Sequence, residues 1–232
     1  IIEYFYAICN VSGWFFKSRK RKYYLLHKFK RLILYIFVHS YEKGMVVMAT
    51  IALFSGQGSQ YEKMGLDLVQ QDAALEEIFE VASEVLGFDL YAVIADSDAQ
   101  TLAHTIYAQP AIMATSLVCL EAAKKRGFTY DAVAGHSLGE YAAMVAAGML
   151  SLEDGFKVIK ARSEAMDAAA KAADGAMCAI LKLAPAEVER ICSETEGYVI
   201  PANYNSSVQT VIAGDRDAVE KAAAACAALK AR

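Results

Sequence analysis

The spacing of hydrophobic residues changes along the chain and separates predicted strands from predicted helices. Short apolar runs at 50–54 and 132–134, each followed by a glycine-containing turn, are typical of buried strands. Apolar residues at every third or fourth position predict amphipathic helices. These helices are predicted over residues 60–69, 74–86, 111–125, 140–147 and 155–173. Helices placed around buried strands predict an α/β fold with a parallel sheet.

A second pattern begins after Asp174 and Gly175. Strands are predicted over 176–183, 198–203 and 208–213, with helices over 185–193 and 215–229. The order βαββα is one strand short of a ferredoxin-like unit. We therefore predict two parts: a large subdomain over 45–173 with an α/β-hydrolase-like parallel sheet, and an incomplete ferredoxin-like small subdomain over 174–232.

The first 44 residues differ in composition from the rest of the 232-residue chain. They hold nine Lys and Arg against Glu3 and Glu42, and half of all aromatic residues, although the whole chain has a formal net charge of −4. The orderly pattern begins near Met45 or Met48. We interpret 1–44 as a non-functional upstream segment translated in error.

Other interpretations of residues 1–44 are weaker. Charged residues interrupt each apolar run, so no membrane-spanning helix is predicted. A signal peptide would have its basic residues before the apolar stretch, whereas here they follow it. A basic, aromatic arm that binds nucleic acid or an anionic membrane stays open as an alternative.

Composition limits the class of the remaining chain. With 56% hydrophobic and 22% charged residues and only three prolines, the chain is globular rather than fibrous or disordered. The cysteines form no CxxC pair, so neither a disulfide framework nor a zinc site is predicted. They are Cys9, Cys119, Cys178, Cys192 and Cys226. A reducing, cytoplasmic setting is expected.

The strongest chemical signal is the GxSxG sequence from Gly135 to Gly139. Between a strand and a helix, this pattern is typical of a nucleophile elbow that exposes its serine, here Ser137. The positive end of the following helix, with the backbone N–H of Leu138, would stabilise an oxyanion. The alternative for these five residues alone is a glycine-bounded turn with a solvated serine.

A serine nucleophile needs a base, and the histidines of this chain are His27, His39, His104 and His136. None follows Ser137, whereas an α/β-hydrolase has its histidine downstream of the serine. We expect His136 to pack beside the turn and His104 to lie on the surface or in a loop. The sequence thus predicts a site without its base.

A second glycine loop, Gly56-Gln57-Gly58, follows the first predicted strand and precedes a helix. In a dinucleotide fingerprint the third glycine would stand where this chain has Tyr61, which is too large for close helix–strand packing. A helix-entry turn is the better interpretation.

Several segments together carry a family resemblance. They are residues 54–60 (FSGQGSQ), 109–111 (QPA), 135–140 (GHSLGE), Arg162, and 202–206 (ANYNS) with 211–214 (VIAG). In this order they resemble the malonyl-CoA:acyl carrier protein transacylases of fatty acid synthesis, which are related to the acyltransferases of polyketide synthesis. Ser55 stands where the family usually has proline.

The resemblance implies roles for four residues. Ser137 would be the nucleophile that receives the malonyl group, and the backbone N–H groups of Gln57 and Leu138 would form the oxyanion hole. Arg162 would bind the malonyl carboxylate, since a guanidinium holds a carboxylate through two parallel hydrogen bonds. In isolation, Arg162 would be interpreted as a solvated arginine on an amphipathic helix.

The resemblance also implies the reaction and the partners. A malonyl group would move from malonyl-CoA to the phosphopantetheine thiol of acyl carrier protein, with no metal and no redox cofactor. The expected partners are malonyl-CoA and acyl carrier protein, without nucleic acid or membrane, and the full-length protein would be a monomer.

The family's catalytic histidine would follow the small subdomain, so the chain is expected to be truncated and inactive. A polyketide acyltransferase, a serine hydrolase and a fragment that only binds are the alternatives.

Overall fold

The computed structural model describes residues 33–42 and 45–232, with side chains from Thr50 onward. Most of the predicted upstream segment, 1–44, therefore lies outside the described residues. The described residues form two compact units, the first ending at Asp167 and the second running from Ala168 to Arg232. The predicted boundary at 174 lies six residues after this division.

The first unit is built on a three-stranded sheet in the order β1-β2-β3. The strands are β1 (Ile33–Glu42), β2 (Met45–Phe54) and β3 (Ala132–Gly135). Strands β2 and β3 are parallel, with Phe54 opposite Gly135, which confirms the predicted parallel pairing. Strand β1 runs antiparallel to β2 along its whole length and was not predicted.

Seven α-helices of the described residues belong wholly or mainly to this unit. They are α1 (Leu66–Gln71), α2 (Glu77–Leu86), α3 (Leu90–Asp96), α4 (Ala99–Leu102), α5 (Thr105–Lys125), α6 (Gly139–Ala146) and α7 (Leu152–Ala172). A 3₁₀ turn, Ala73–Leu75, precedes α2. The helix predicted to begin at residue 60 begins only at Leu66, because Gly65 takes the left-handed conformation (φ 78°) just before it.

Helix α5 is the centre of the first unit. It was predicted to be amphipathic and to begin at residue 111, and both predictions were wrong: it begins at Thr105, and residues 108–120 are all buried. A helix that is apolar all round is a core helix. By length and composition α5 could also cross a bilayer, yet four-fifths of its apolar window is buried inside the protein, as in the core helix of a globular domain.

The core around α5 comes from every layer of the unit. Strand β2 contributes Phe54, α2 contributes Phe79, and α7 contributes Phe156, all of them almost fully buried. These rings pack with Ile112 and Leu120 of α5 in one continuous cluster. Burial of this kind contributes about 1.5–3 kcal/mol for each large side chain. The ends of β2 and β3 are therefore held firmly where the glycine turns begin.

The second unit confirms the predicted βαββα order. It contains β4 (Gly175–Leu181), α8 (Pro185–Glu194), β5 (Val199–Ser206), β6 (Gln209–Asp215) and α9 (Arg216–Ala228). The strands form an antiparallel sheet in the order β4-β6-β5. On the outer edge of β4, Leu181 and Arg232 exchange both backbone hydrogen bonds, at 2.8 and 2.9 Å, as a directly opposed antiparallel pair does.

Candidate active site

A sharp turn joins β3 to α6 and carries the predicted nucleophile. Ser137 lies in the left-handed region with φ 51°, and its side chain is exposed. The N–H of His136 donates to the Phe54 carbonyl at 3.0 Å, and the N–H of Gly139 donates to the His136 carbonyl at 3.0 Å. A non-glycine residue in this conformation costs about 1–3 kcal/mol and is maintained only by its surroundings. The turn has the geometry of a nucleophile elbow.

The two glycines of the elbow are required by close backbone packing. A Cβ on Gly135 would lie 2.1 Å from the Gly139 carbonyl carbon and 2.2 Å from the Glu140 nitrogen. A Cβ on Gly139 would lie 2.2 Å from the Phe54 carbonyl oxygen. These neighbours are backbone atoms that cannot rotate away. The steric reason for the motif that the sequence suggested is therefore present in the structure.

Replacing Gly135 by alanine is expected to destabilise the protein by at least about 2 kcal/mol, because the new methyl group must displace backbone. Urea unfolding followed by circular dichroism measures this loss. The matched control is Gly175→Ala, where the added Cβ meets only an ordinary 3.5 Å contact with the Gly214 oxygen. Equal effects of the two substitutions would contradict the elbow packing.

The glycine loop after β2 packs against the elbow. A Cβ on Gly56 would lie 2.5 Å from the His136 carbonyl oxygen, so the loop and the elbow are in direct contact. The loop is held by its own side chains: the Ser59 hydroxyl donates to the Gly56 carbonyl at 2.7 Å, and the Gly58 N–H donates to Gln60 Oε1 at 2.8 Å. This contact joins the residue before Gln57 to the residue before Ser137.

The two predicted oxyanion donors are backbone groups at this contact. Leu138 has its side chain fully buried and immediately precedes α6. Among the described residues, no acceptor is found for the N–H of Leu138 or for that of Gln57. The Gln57 side chain points elsewhere and donates to Thr105 Oγ1 at 3.1 Å. The role of the two N–H groups as donors to an oxyanion at the elbow stays a prediction.

Arg162 of α7 reaches the nucleophile. Its Nη2 donates to Ser137 Oγ at 3.1 Å, and its guanidinium carbon lies 5.6 Å from the centre of the Tyr141 ring. That distance is within range of a cation–π interaction. The GxSxG pattern suggested Ser137 and the family resemblance suggested Arg162, and the structure brings the two side chains into contact.

Gln109 of α5 completes this group, and sequence reasoning gave it no role. Its side chain is fully buried; its Oε1 accepts a hydrogen bond from Arg162 Nη1, and its Nε2 donates to Met166 Sδ at 3.3 Å. The available signals were a carboxamide inside a mainly apolar stretch and the place of Gln109 in the 109–111 segment that carries the family resemblance. Buried polar side chains are kept when they are hydrogen-bonded.

The two described histidines lie where the sequence suggested. His104 is exposed just before α5, and His136 is half-buried beside the glycine loop. Burial lowers the pKa of His136, and nearby Glu140 partly opposes this. Among the described residues, the Ser137 hydroxyl is hydrogen-bonded to Arg162 and to no histidine. In the same part of the chain, no group of three or more His, Cys, Asp or Glu could hold a metal ion.

Comparison with known proteins agrees with this geometry. The family model described as acyl transferase domain matches residues 52–232. The malonyl CoA-acyl carrier protein transacylase of Bacillus subtilis (strain 168) is 42% identical over 179 residues, which cover 75% of this chain and 56% of the relative. The chain thus spans somewhat over half the length of the curated relatives that it matches.

Solved structures show the same fold. The malonyl CoA-acyl carrier protein transacylase from Coxiella burnetii matches with a TM-score of 0.74 and 37% identity, over 78% of this chain and 58% of that one. A complex of a type II polyketide synthase acyl-carrier protein with its malonyl-transacylase matches with a TM-score of 0.72 and 37% identity, over 78% and 60%. Because the family model covers more than half of its residues, this chain belongs to the acyl transferase domain family.

Proposed function

We propose that the protein transfers a malonyl group from malonyl-CoA to the phosphopantetheine thiol of acyl carrier protein, through an ester on Ser137. The names of the relatives from Bacillus subtilis and Escherichia coli support this substrate pair. The solved complex of a malonyl-transacylase with an acyl-carrier protein supports the carrier as the acceptor.

The observation that carries the proposal is the 3.1 Å contact between Arg162 Nη2 and Ser137 Oγ. A guanidinium so close to the nucleophile can hold a carboxylate only when that carboxylate lies near the carbonyl carbon under attack. In a malonyl group a single methylene separates the carboxylate from the thioester carbonyl carbon. The site therefore favours malonyl over acetyl, which has no carboxylate, and over longer diacids, whose carboxylate would pass beyond Arg162.

The reaction has two balanced steps. Ser137 Oγ attacks the thioester carbon and gives up its proton to a base, the C–S bond breaks, and coenzyme A leaves as its thiol. The carrier thiol then attacks the ester, and Ser137 recovers its proton. In both steps the N–H groups of Gln57 and Leu138 stabilise the oxyanion of the tetrahedral intermediate. Thioester is exchanged for thioester, so no electron transfer and no cofactor are needed.

We also propose a cytoplasmic location. It is supported by the free thiols of Cys119, Cys178, Cys192 and Cys226, because disulfides are rare in reducing compartments. An acyltransferase of polyketide synthesis is the second candidate, and it would use the same residues for the same chemistry; one relative, 40% identical over 173 residues, is a polyketide biosynthesis protein of Burkholderia thailandensis. A serine hydrolase is disfavoured, because it would not need Arg162.

The histidine that the family resemblance expects after the small subdomain gives the test. We define the extended protein as this chain followed by the part of the Bacillus subtilis relative that comes after its matched region, where the family resemblance expects the histidine. The extended protein should transfer radiolabelled malonyl from malonyl-CoA to acyl carrier protein, and the 232-residue chain should do so at background, about 10²–10⁴-fold more slowly, since general-base catalysis contributes that much.

The control for this comparison is the extended protein with Ser137→Ala, which should fall to the same background. Transfer by the 232-residue chain at the rate of the extended protein would contradict the prediction and would make His136 or His104 the base.

A further inference from the structure

We propose that Gln109 is the positioning residue for Arg162, and that its neutral amide keeps the guanidinium charge available for the substrate carboxylate. The inference rests on the proposed function, because it assumes that Arg162 binds that carboxylate. Its basis is the hydrogen-bond chain from Met166 through Gln109 to Arg162, in which the Gln109 side chain is fully buried.

The orientation of the Gln109 amide is determined at both ends. A guanidinium offers only donors, so the amide must face Arg162 with its oxygen. A thioether can only accept, so the amide must face Met166 with its nitrogen, as observed at 3.3 Å. With Gln109 fully buried in the core helix α5, the acceptor for Arg162 cannot move away or turn over.

Besides its hydrogen bond to Ser137, the Arg162 guanidinium has two further contacts that hold it in place. Gln109 receives Nη1, and the Tyr141 ring lies 5.6 Å from the guanidinium carbon. A long arginine side chain loses much rotamer freedom when it grips a ligand, and holding it beforehand removes part of that cost. The guanidinium is therefore held beside Ser137 before a substrate binds.

The absence of charge on Gln109 matters for carboxylate binding by Arg162 as much as the position of its amide does. Within the described part of the chain, Arg162 has no ion pair, and its hydrogen bonds are to the amide of Gln109 and the hydroxyl of Ser137. A glutamate at position 109 would have nearly the same shape and would accept the same hydrogen bond. It would also neutralise the guanidinium and repel a malonyl carboxylate.

Two substitutions of Gln109 separate the effect of its hydrogen-bond acceptor from the effect of its lack of charge. Gln109→Leu removes the acceptor without adding charge, and Gln109→Glu keeps the acceptor and adds the charge. The matched control is Gln71→Glu, because exposed Gln71 also accepts from an arginine, Arg126 Nη2, at 3.3 Å on a different part of the surface. Isothermal titration of the 232-residue chain with malonyl-CoA and with acetyl-CoA gives the preference for the carboxylate.

The parent chain should bind malonyl-CoA more tightly than acetyl-CoA. Gln109→Leu should reduce this preference by about tenfold and Gln109→Glu by more, with acetyl-CoA affinity unchanged within about twofold. Gln71→Glu should leave both affinities unchanged. A purely structural role for Gln109 would lower both affinities together, so the malonyl-to-acetyl ratio is the decisive quantity.

Each other result overturns a specific statement. A parent chain without the preference, or an Arg162→Ala variant that keeps it, overturns the proposed function. If the preference is lost in Arg162→Ala but kept in both Gln109 variants, only the positioning proposal is overturned. It is also overturned if both Gln109 variants lose acetyl-CoA binding as well, since Gln109 would then only support the fold.

Discussion

Replacing Arg162 by alanine is expected to reduce kcat/KM for malonyl transfer in the extended protein by about 30-fold or more, while acetyl transfer survives. The reason is that Arg162 is the charged partner of the malonyl carboxylate, and losing such a partner typically costs about 2–5 kcal/mol. An acetyl group has no carboxylate and loses nothing of this kind. Parallel assays with radiolabelled malonyl-CoA and acetyl-CoA measure both effects.

Two controls make this result specific. Lys157→Ala removes an exposed cation from the same helix, where it pairs with Glu153 at 2.6 Å, and should change neither rate. Arg162→Lys should recover only part of the malonyl rate, since an ammonium cannot form the two parallel hydrogen bonds of a guanidinium. Equal losses of malonyl and acetyl transfer in Arg162→Ala would mean that Arg162 supports the fold and not the substrate.

The elbow could be predicted from sequence because its constraints are local. The short apolar run of β3, the glycines at 135 and 139 and the small residues of α6 lie within about a dozen positions, and each has a steric reason that the residue types state directly. The contact of the Gln57 loop with the elbow was implied only by the family resemblance. Its physical cause, the parallel pairing of β2 with β3, joins residues about 80 positions apart.

What sequence reasoning missed depends on tertiary packing. Helices α3 and α4 have only seven and four residues, too few to show a helical period. Helix α5 was predicted to be amphipathic from the apolar spacing over 111–125, whereas the structure begins it at Thr105 and buries Gln109, Thr115 and Ser116 completely. Burial of an amide is decided by its partners, and those of Gln109 lie more than 50 positions away in α7.

The N-terminal segment shows that amino-acid composition alone does not predict strand pairing. Its charge and aromatic content led to the interpretation of 1–44 as non-functional, and this stays a prediction. Yet residues 33–42 form β1, which pairs with β2 from Ile33 opposite Phe54 to Glu42 opposite Met45. Branched and aromatic residues favour strands whatever the origin of the segment. Composition separated this segment from the rest but did not predict its pairing.

The most direct test of the central claim is the site of the covalent intermediate. The extended protein is incubated with malonyl-CoA without a carrier, quenched in acid, and digested for peptide mass spectrometry. We predict a malonyl ester on the peptide that contains Ser137, absent in Ser137→Ala, because this hydroxyl is exposed at the elbow beside Arg162. A malonyl adduct on a cysteine, or no adduct in a preparation that transfers malonyl, would contradict the account.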